Sequence, residues 1–157
     1  MIRLVASIAL AIALASAASA ADDRHAGYYY PQAETEETYA ARAEPLADAS
    51  RRHRIGFVTN VTLEMLVRPY PPPFAVFAKG EEAEKLIIVA LRDGALDTVY
   101  RARAQLAMLT ASARVSDYFK EHRVDDLYTF FDLARLLGFT EITVSDGQSF
   151  AHRILLQ

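Results

Sequence analysis

The stretch Lys85-Leu86-Ile87-Ile88-Val89-Ala90-Leu91 constrains the fold of this chain more than any other. It is apolar at six successive positions, so a strand built from it is apolar on both faces. Such a strand belongs inside a sheet covered on both sides, or covered on one side and packed at an interface on the other. The apolar run Phe74-Ala75-Val76-Phe77 lies just upstream, separated from it by the polar connection Gly80-Glu81-Glu82-Ala83-Glu84. The two runs therefore read as a β-hairpin. Before them stands Tyr70-Pro71-Pro72-Pro73, where three consecutive residues lack a backbone donor. Neither a helix interior nor a central strand tolerates that. Each residue before a proline is pushed toward extended geometry, so Arg68 to Pro73 reads as a stiff surface arm that aims the next strand.

Upstream, the chain opens with Arg3, an apolar run from Leu4 to Leu14 and the small residues Ala18-Ser19-Ala20. This is the pattern of a secretory signal peptide, with cleavage expected between Ala20 and Ala21. The alternative is an uncleaved anchor, since Leu4 to Ala21 approaches the roughly 20 residues of a membrane span. No later run approaches that length, so the mature chain is expected to have no membrane span and to be periplasmic. Cleavage removes one of the 17 basic residues and none of the 20 acidic ones, leaving a net charge of −4. That balance argues against nucleic acid, whose phosphates call for clustered Lys and Arg. The chain has no cysteine, so the core must hold without disulfides.

Residues 21–35 read as an extended, tyrosine-rich arm, and residues 36–157 as a single α+β domain. In that domain Glu37 to Leu46 suggests a strand, Arg51 to Thr59 a second strand, and Thr62 to Val67 one or two helical turns. After Asp93-Gly94 the spacing of Leu96, Val99, Tyr100, Leu106, Ala107 and Leu109 predicts an amphipathic helix to about Arg114, with Arg103 as the charged intruder on its stripe. Ser116 caps a short continuation. A second main helix is expected to open at Asp125, with Leu127, Phe130, Phe131, Ala134 and Leu137 as its buried stripe and Gly138 as its C-cap. Asp146-Gly147 marks a closing hairpin. The expected fold is α+β, an antiparallel sheet of five or six strands with two main helices packed on it, in the order strands, helix, helix, β-hairpin.

No catalytic motif is found: there is no G-x-S-x-G, H-E-x-x-H, G-x-x-x-x-G-K-[ST] or G-x-G-x-x-G. The four histidines, His25, His53, His122 and His152, are scattered rather than spaced as metal ligands. His122, beside Glu121, Asp125 and Asp126, reads as a helix-end residue. Asp93 and Asp146 each precede a glycine and read as turn residues, and Asp132 is placed on the polar side of its helix. The basic run Arg51-Arg52-His53-Arg54 suits either a phosphate group or pairing with the acids of Glu44 to Asp48 or Gly80 to Glu84. No catalytic, metal or cofactor residue is assigned. The stretches that look like contact surface are Tyr28, Tyr29 and Tyr30, and the ridge of Tyr70, Pro71, Pro72 and Pro73.

The segments "RPYPPPFAVFAKGEEAEKLIIVALRDGALDTVYRARAQLAMLT" and "DLYTFFDLARLLGFTEITVSDGQSFAH" carry a resemblance that covers nearly the whole chain. It resembles a small group of bacterial exported proteins labelled molybdopterin-guanine dinucleotide biosynthesis protein A. The label implies a transferase that joins a guanine nucleotide to the molybdenum cofactor, by way of a glycine-rich L-A-G-G-x-S-x-R-M-G loop. Residues 1–60 contain no such loop, so the resemblance supplies no site residue. The first expectation for function is an exported, non-catalytic interaction protein, an accessory subunit on the periplasmic face of a membrane complex such as a respiratory enzyme. The alternative is a periplasmic small-molecule or lipid binder whose cavity is lined by Phe74, Phe77, Phe130 and Phe131.

Overall fold

A computed structural model describes residues 31–157. The signal peptide, His25 and Tyr28 to Tyr30 lie outside the described residues. Five strands form one sheet: β1 (Thr35–Tyr39), β2 (Phe74–Lys79), β3 (Lys85–Ala90), β4 (Glu141–Ser145) and β5 (Ala151–Leu156). Four helices accompany them: α1 (Arg51–Leu66), α2 (Val99–Arg114), α3 (Asp117–Glu121) and α4 (Phe130–Leu136). Among the described residues no helix is long and apolar enough to cross a membrane.

The α+β class holds, but the sheet is mixed rather than antiparallel. Its order is β1-β5-β4-β3-β2. The hairpins β2–β3 and β4–β5 are antiparallel, whereas β3–β4 and β1–β5 are parallel. The reason is the connection. α2, α3 and α4 all lie between β3 and β4, and a long helical crossover returns the chain to start its next strand in the same direction. α1 likewise interrupts the strands between β1 and β2, so the expected order of elements does not hold either.

The apolar heptapeptide behaves as its composition demands. Leu86 and Ile88 point to the helical side and Ile87 to the opposite face, and all three are fully buried. Register aligns Leu86 with Ile142 and Ile88 with Val144, while Ile142 faces Ile154 on the next strand. Together with Phe74 and Val76 these side chains form the floor on which Met65 of α1, Ala102 and Leu106 of α2, and Phe130 and Ala134 of α4 pack.

The largest correction concerns residues 51–59, which are helical. Arg54, Val58, Val61 and Met65 fall on one face at helical spacing, with Val58, Val61 and Met65 packed on the core and Arg54 buried at its head. The rest of the helix is mixed: Ile55 and Leu63 are exposed, and Thr59 and Thr62 turn their hydroxyls back onto the carbonyls of Ile55 and Val58. The β-branched and aromatic run Ile55, Phe57, Val58 suggests a strand only if the arginine at the top of the stripe is left out of the count.

The start of α4 is also displaced. Its N-cap is Thr129, not Asp125, and Thr129 and Asp132 form a reciprocal capping box. Val124 to Tyr128 turn instead, with the N–H groups of Leu127 and Tyr128 both donating to the Val124 carbonyl. Leu127 is therefore exposed rather than buried. The helix ends as expected. Gly138 takes φ +82°, and the N–H groups of Gly138 and Phe139 close onto the carbonyls of Arg135 and Ala134. In α2 the N-cap is Thr98, which accepts from the Arg101 N–H, and Tyr100 points to solvent rather than to the core.

Candidate functional site

Two surface depressions of the described molecule are lined by helices as well as by the sheet. The larger, a cleft of about 760 Å³, lies between α2 and the edge strand β1. β1 contributes Glu37, Thr38 and Tyr39, β5 contributes Ile154, and α4 contributes Phe131. From α2 come Arg103, Leu106, Ala107, Thr110, Ala111 and Arg114. The cleft exists because α2 turns small side chains toward the sheet edge here. Ala107 and Ala111 cannot bridge the gap that a larger residue would fill.

One end of the cleft carries a chain of polar contacts. Arg103 donates to Oε2 of Glu37 at 2.5 Å. Oε1 of Glu37 lies 3.0 Å from Nε2 of the buried His152, whose Nδ1 is 2.8 Å from the Thr35 hydroxyl. The geometry follows from register. Thr35 sits directly opposite His152 on the neighbouring strand, and Glu37, two residues on, points to the same face. The Arg103 guanidinium holds the Glu37 carboxyl below its ordinary range; burial opposes this, and the His152 ring adds to the lowering.

Carboxylate, imidazole and hydroxyl in sequence resemble a nucleophile relay, but the local chemistry favours structure. Glu37 is already committed to Arg103 and is thereby a weaker proton acceptor. Thr35 does not line the cleft. The group reads as a clasp that fastens the edge strand to β5 and to α2.

The other end is walled by Tyr39 and Phe131, stacked with ring centroids 4.4 Å apart. The Tyr39 hydroxyl lies 3.1 Å from Thr129 Oγ1 and donates to Asp132 at 3.4 Å. Asp132 is fully buried, not on a polar helix side, and it also accepts from the Arg42 N–H at 2.7 Å and the Thr129 N–H at 2.8 Å. The signal for it was present in the sequence, since Thr129-Phe130-Phe131-Asp132 has capping-box spacing.

The second depression, about 470 Å³, runs between the C-terminal half of α1 and the edge strand β2. Leu63, Leu66, Pro72, Phe74, Val76 and Leu91 are among the residues that line it. Of the four expected cavity phenylalanines, Phe74 and Phe77 border this groove, Phe131 borders the cleft, and Phe130 is in the core. The expected single cavity is thus two separate depressions.

The other described histidines and Asp146 make local contacts. His53 is 4.0 Å from Asp48, and His122 caps α3 with its ring against the Tyr118 carbonyl. Asp146 accepts the N–H groups of Gln148, Ser149 and Phe150 in the β4–β5 turn. Burial pushes its carboxyl up, and these bonds outweigh that and hold it low. Among the described residues no cluster of His, Asp and Glu is arranged to hold a metal ion.

Compared with known proteins, the chain matches no family model, no curated sequence and no solved structure.

Proposed function

We propose that this protein is an exported, non-catalytic interaction domain that docks a protein partner along the α1–β2 groove, as an accessory subunit on the periplasmic face of a membrane complex such as a respiratory enzyme. The observation that carries the reading is the row of large apolar side chains left in water there. Leu66 is 64%, Val67 84%, Tyr70 79% and Leu91 54% exposed. Leu66, the last residue of α1, and Leu91 line the groove, and Val67 and Tyr70 stand in the segment that joins Leu66 to the three prolines. Single exposed apolar residues are ordinary, but a group of them around an apolar groove is the composition of a contact surface.

The proline ridge supports the same reading. Tyr70 and Pro71 stand exposed while Pro72 lines the groove, so the segment offers a partner a surface already stiffened and low in entropy to lose. Burying an aliphatic side chain fully is worth roughly 1.5–3 kcal/mol, so a partner covering this patch has enough apolar area for specific binding. The transferase implied by the family resemblance needs a nucleotide loop that residues 1–60 lack, and it forms no part of this reading.

The test is a pull-down of the tagged, natively exported full chain from gently solubilised membranes, comparing wild type with the double variant Val67→Glu, Tyr70→Ser. Wild type should retain a stoichiometric membrane-protein partner and the variant should lose it. A wild-type protein that comes down alone, or a variant that keeps its partner, refutes the proposal.

A further inference from the structure

We infer that the α2–β1 cleft is a second, independent site, and that it binds a medium-chain fatty acid with the carboxylate on Arg114. The argument starts from charge. Two arginines mark the ends of the cleft floor, Arg103 and Arg114. Arg103 is neutralised by Glu37. Arg114 spends only its Nε, on the Tyr128 carbonyl at 3.2 Å, and has no carboxylate within ion-pair distance among the described residues. The cleft therefore presents one uncompensated guanidinium with its terminal nitrogens available, which suits a single carboxylate.

The space between the two ends selects the rest of the ligand. The two arginines are eleven positions apart on α2, or roughly 16 Å at 1.5 Å per residue. That span is floored by Leu106 and Ile154 and walled by the Tyr39–Phe131 stack. Its polar groups are mostly engaged: Thr110 Oγ1 accepts from the Phe130 N–H, and the Tyr39 hydroxyl is held by Thr129 and Asp132. A sugar would leave most of its hydroxyls without partners along such a surface, at a cost for each buried group. An alkyl chain asks for none. The cleft volume of about 760 Å³ falls in the range of roughly 300–1,000 Å³ usual for small-molecule sites.

The test is a titration of the isotope-labelled full-length protein with decanoate below its micelle concentration, with acetate and decanol in parallel, followed by backbone amide shifts. Decanoate should shift the amides of Ala107, Ala111 and Phe131. Ala107→Phe, placed at an exposed position, should fill the cleft and abolish those shifts while leaving the melting temperature unchanged. Arg114→Gln should weaken decanoate by at least about tenfold, the loss of a charge-assisted bond, and leave decanol unaffected. The inference is overturned if decanoate produces no shifts in the cleft or shifts only the α1–β2 groove. It is equally overturned if acetate binds as well (a bare anion site), if decanol binds as well (no role for the carboxylate), or if Ala107→Phe still binds.

Discussion

Oε1 of Glu37 and Nε2 of His152 meet at 3.0 Å across the parallel boundary between β1 and β5, beneath the guanidinium of Arg103. β1 is an edge strand of five residues. Its ladder to β5 is supplemented at this point by the His152 side chain of β5 and by Arg103 of α2, so Glu37 links the sheet edge to α2.

Glu37 should make the stability of the domain pH-dependent in a definite direction. Its carboxyl is held below the ordinary value of 4.5 chiefly by the hydrogen bond from Arg103, against burial and with help from His152. A depressed carboxyl contributes fully above its unfolded value, and that contribution is lost as pH falls through the folded one. Glu37→Gln removes it at every pH. The stability gap between wild type and Glu37→Gln, measured by denaturant titration, should be widest near neutrality and should close below pH 4.5. A gap that is flat with pH, or that widens on acidification, contradicts this.

Asp132 should be among the most sensitive positions. It is fully buried and its carboxyl oxygens accept from Arg42 N–H, Thr129 N–H and Thr129 Oγ1, tying the segment after β1 to the start of α4. Asp132→Ala leaves the part-buried N–H groups of Arg42 and Thr129 without their acceptor and should cost about 3 kcal/mol. Asp132→Asn keeps the volume but turns an amide donor toward one of those N–H groups, and about 2 kcal/mol is expected. Equilibrium unfolding of both variants tests the order; an alanine variant within about 0.5 kcal/mol of wild type would place Asp132 outside any structural role.

What could be read in advance depended on whether apolar pattern and backbone geometry spoke for the same residues. Leu86 to Val89, the Asp146-Gly147 hairpin and Gly138 were legible because each is decided locally, by burial on both faces, turn chemistry or a positive φ. The helical turns from Thr62 were legible too, but residues 51–59 were not, because the inward stripe of α1 begins with an arginine. Arg54 occupies a core position only by giving its donors to carbonyls distant in sequence, Glu82, Leu137 and Gly138, and no local pattern announces that. The parallel pairings likewise depend on where α1 and the α2–α4 crossover return the chain. Of the candidate sites, the Tyr70 to Pro73 ridge was visible as an anomaly in the sequence. The α2–β1 cleft was not, since it arises from the smallness of Ala107 and Ala111 opposite a strand that pairs with the far end of the chain.

The contact between Arg54 and Gly138 should be measurable as coupling. Arg54 donates to the carbonyls of Glu82, at 2.9 and 2.7 Å, and of Gly138, at 3.4 Å. A Cβ on Gly138 would stand 2.6 Å from the Arg54 guanidinium and 3.2 Å from Ala49 Cβ, at a φ of +82°. Gly138→Ala should cost about 2 kcal/mol, part from the left-handed backbone and part from displacing Arg54. Arg54→Ala should cost about 3 kcal/mol through lost charge-assisted bonds to backbone. In the double variant the glycine substitution should cost less than alone, by at least about 0.5 kcal/mol, because the group it displaces is gone. Strictly additive costs would mean that Arg54 moves aside without penalty.

The apolar rim of the α1–β2 groove and the tyrosine arm make opposite forecasts for the same partner. If the groove is the contact, Val67→Glu with Tyr70→Ser removes side chains that pack on nothing in the free domain, since both are more than three-quarters exposed. Its stability should stay within about 0.5 kcal/mol of wild type, while partner retention falls by at least about a hundredfold, the loss of two apolar contacts each worth roughly 1.5 kcal/mol or more when buried. Deleting residues 22–34, which carry Tyr28, Tyr29 and Tyr30, should then leave retention largely intact. If the arm is the contact, the deletion abolishes retention and the groove variant keeps it. Quantifying the co-purified partner for both variants, alongside their unfolding curves, separates the two surfaces in one experiment, because neither change should unfold the domain on which the other depends.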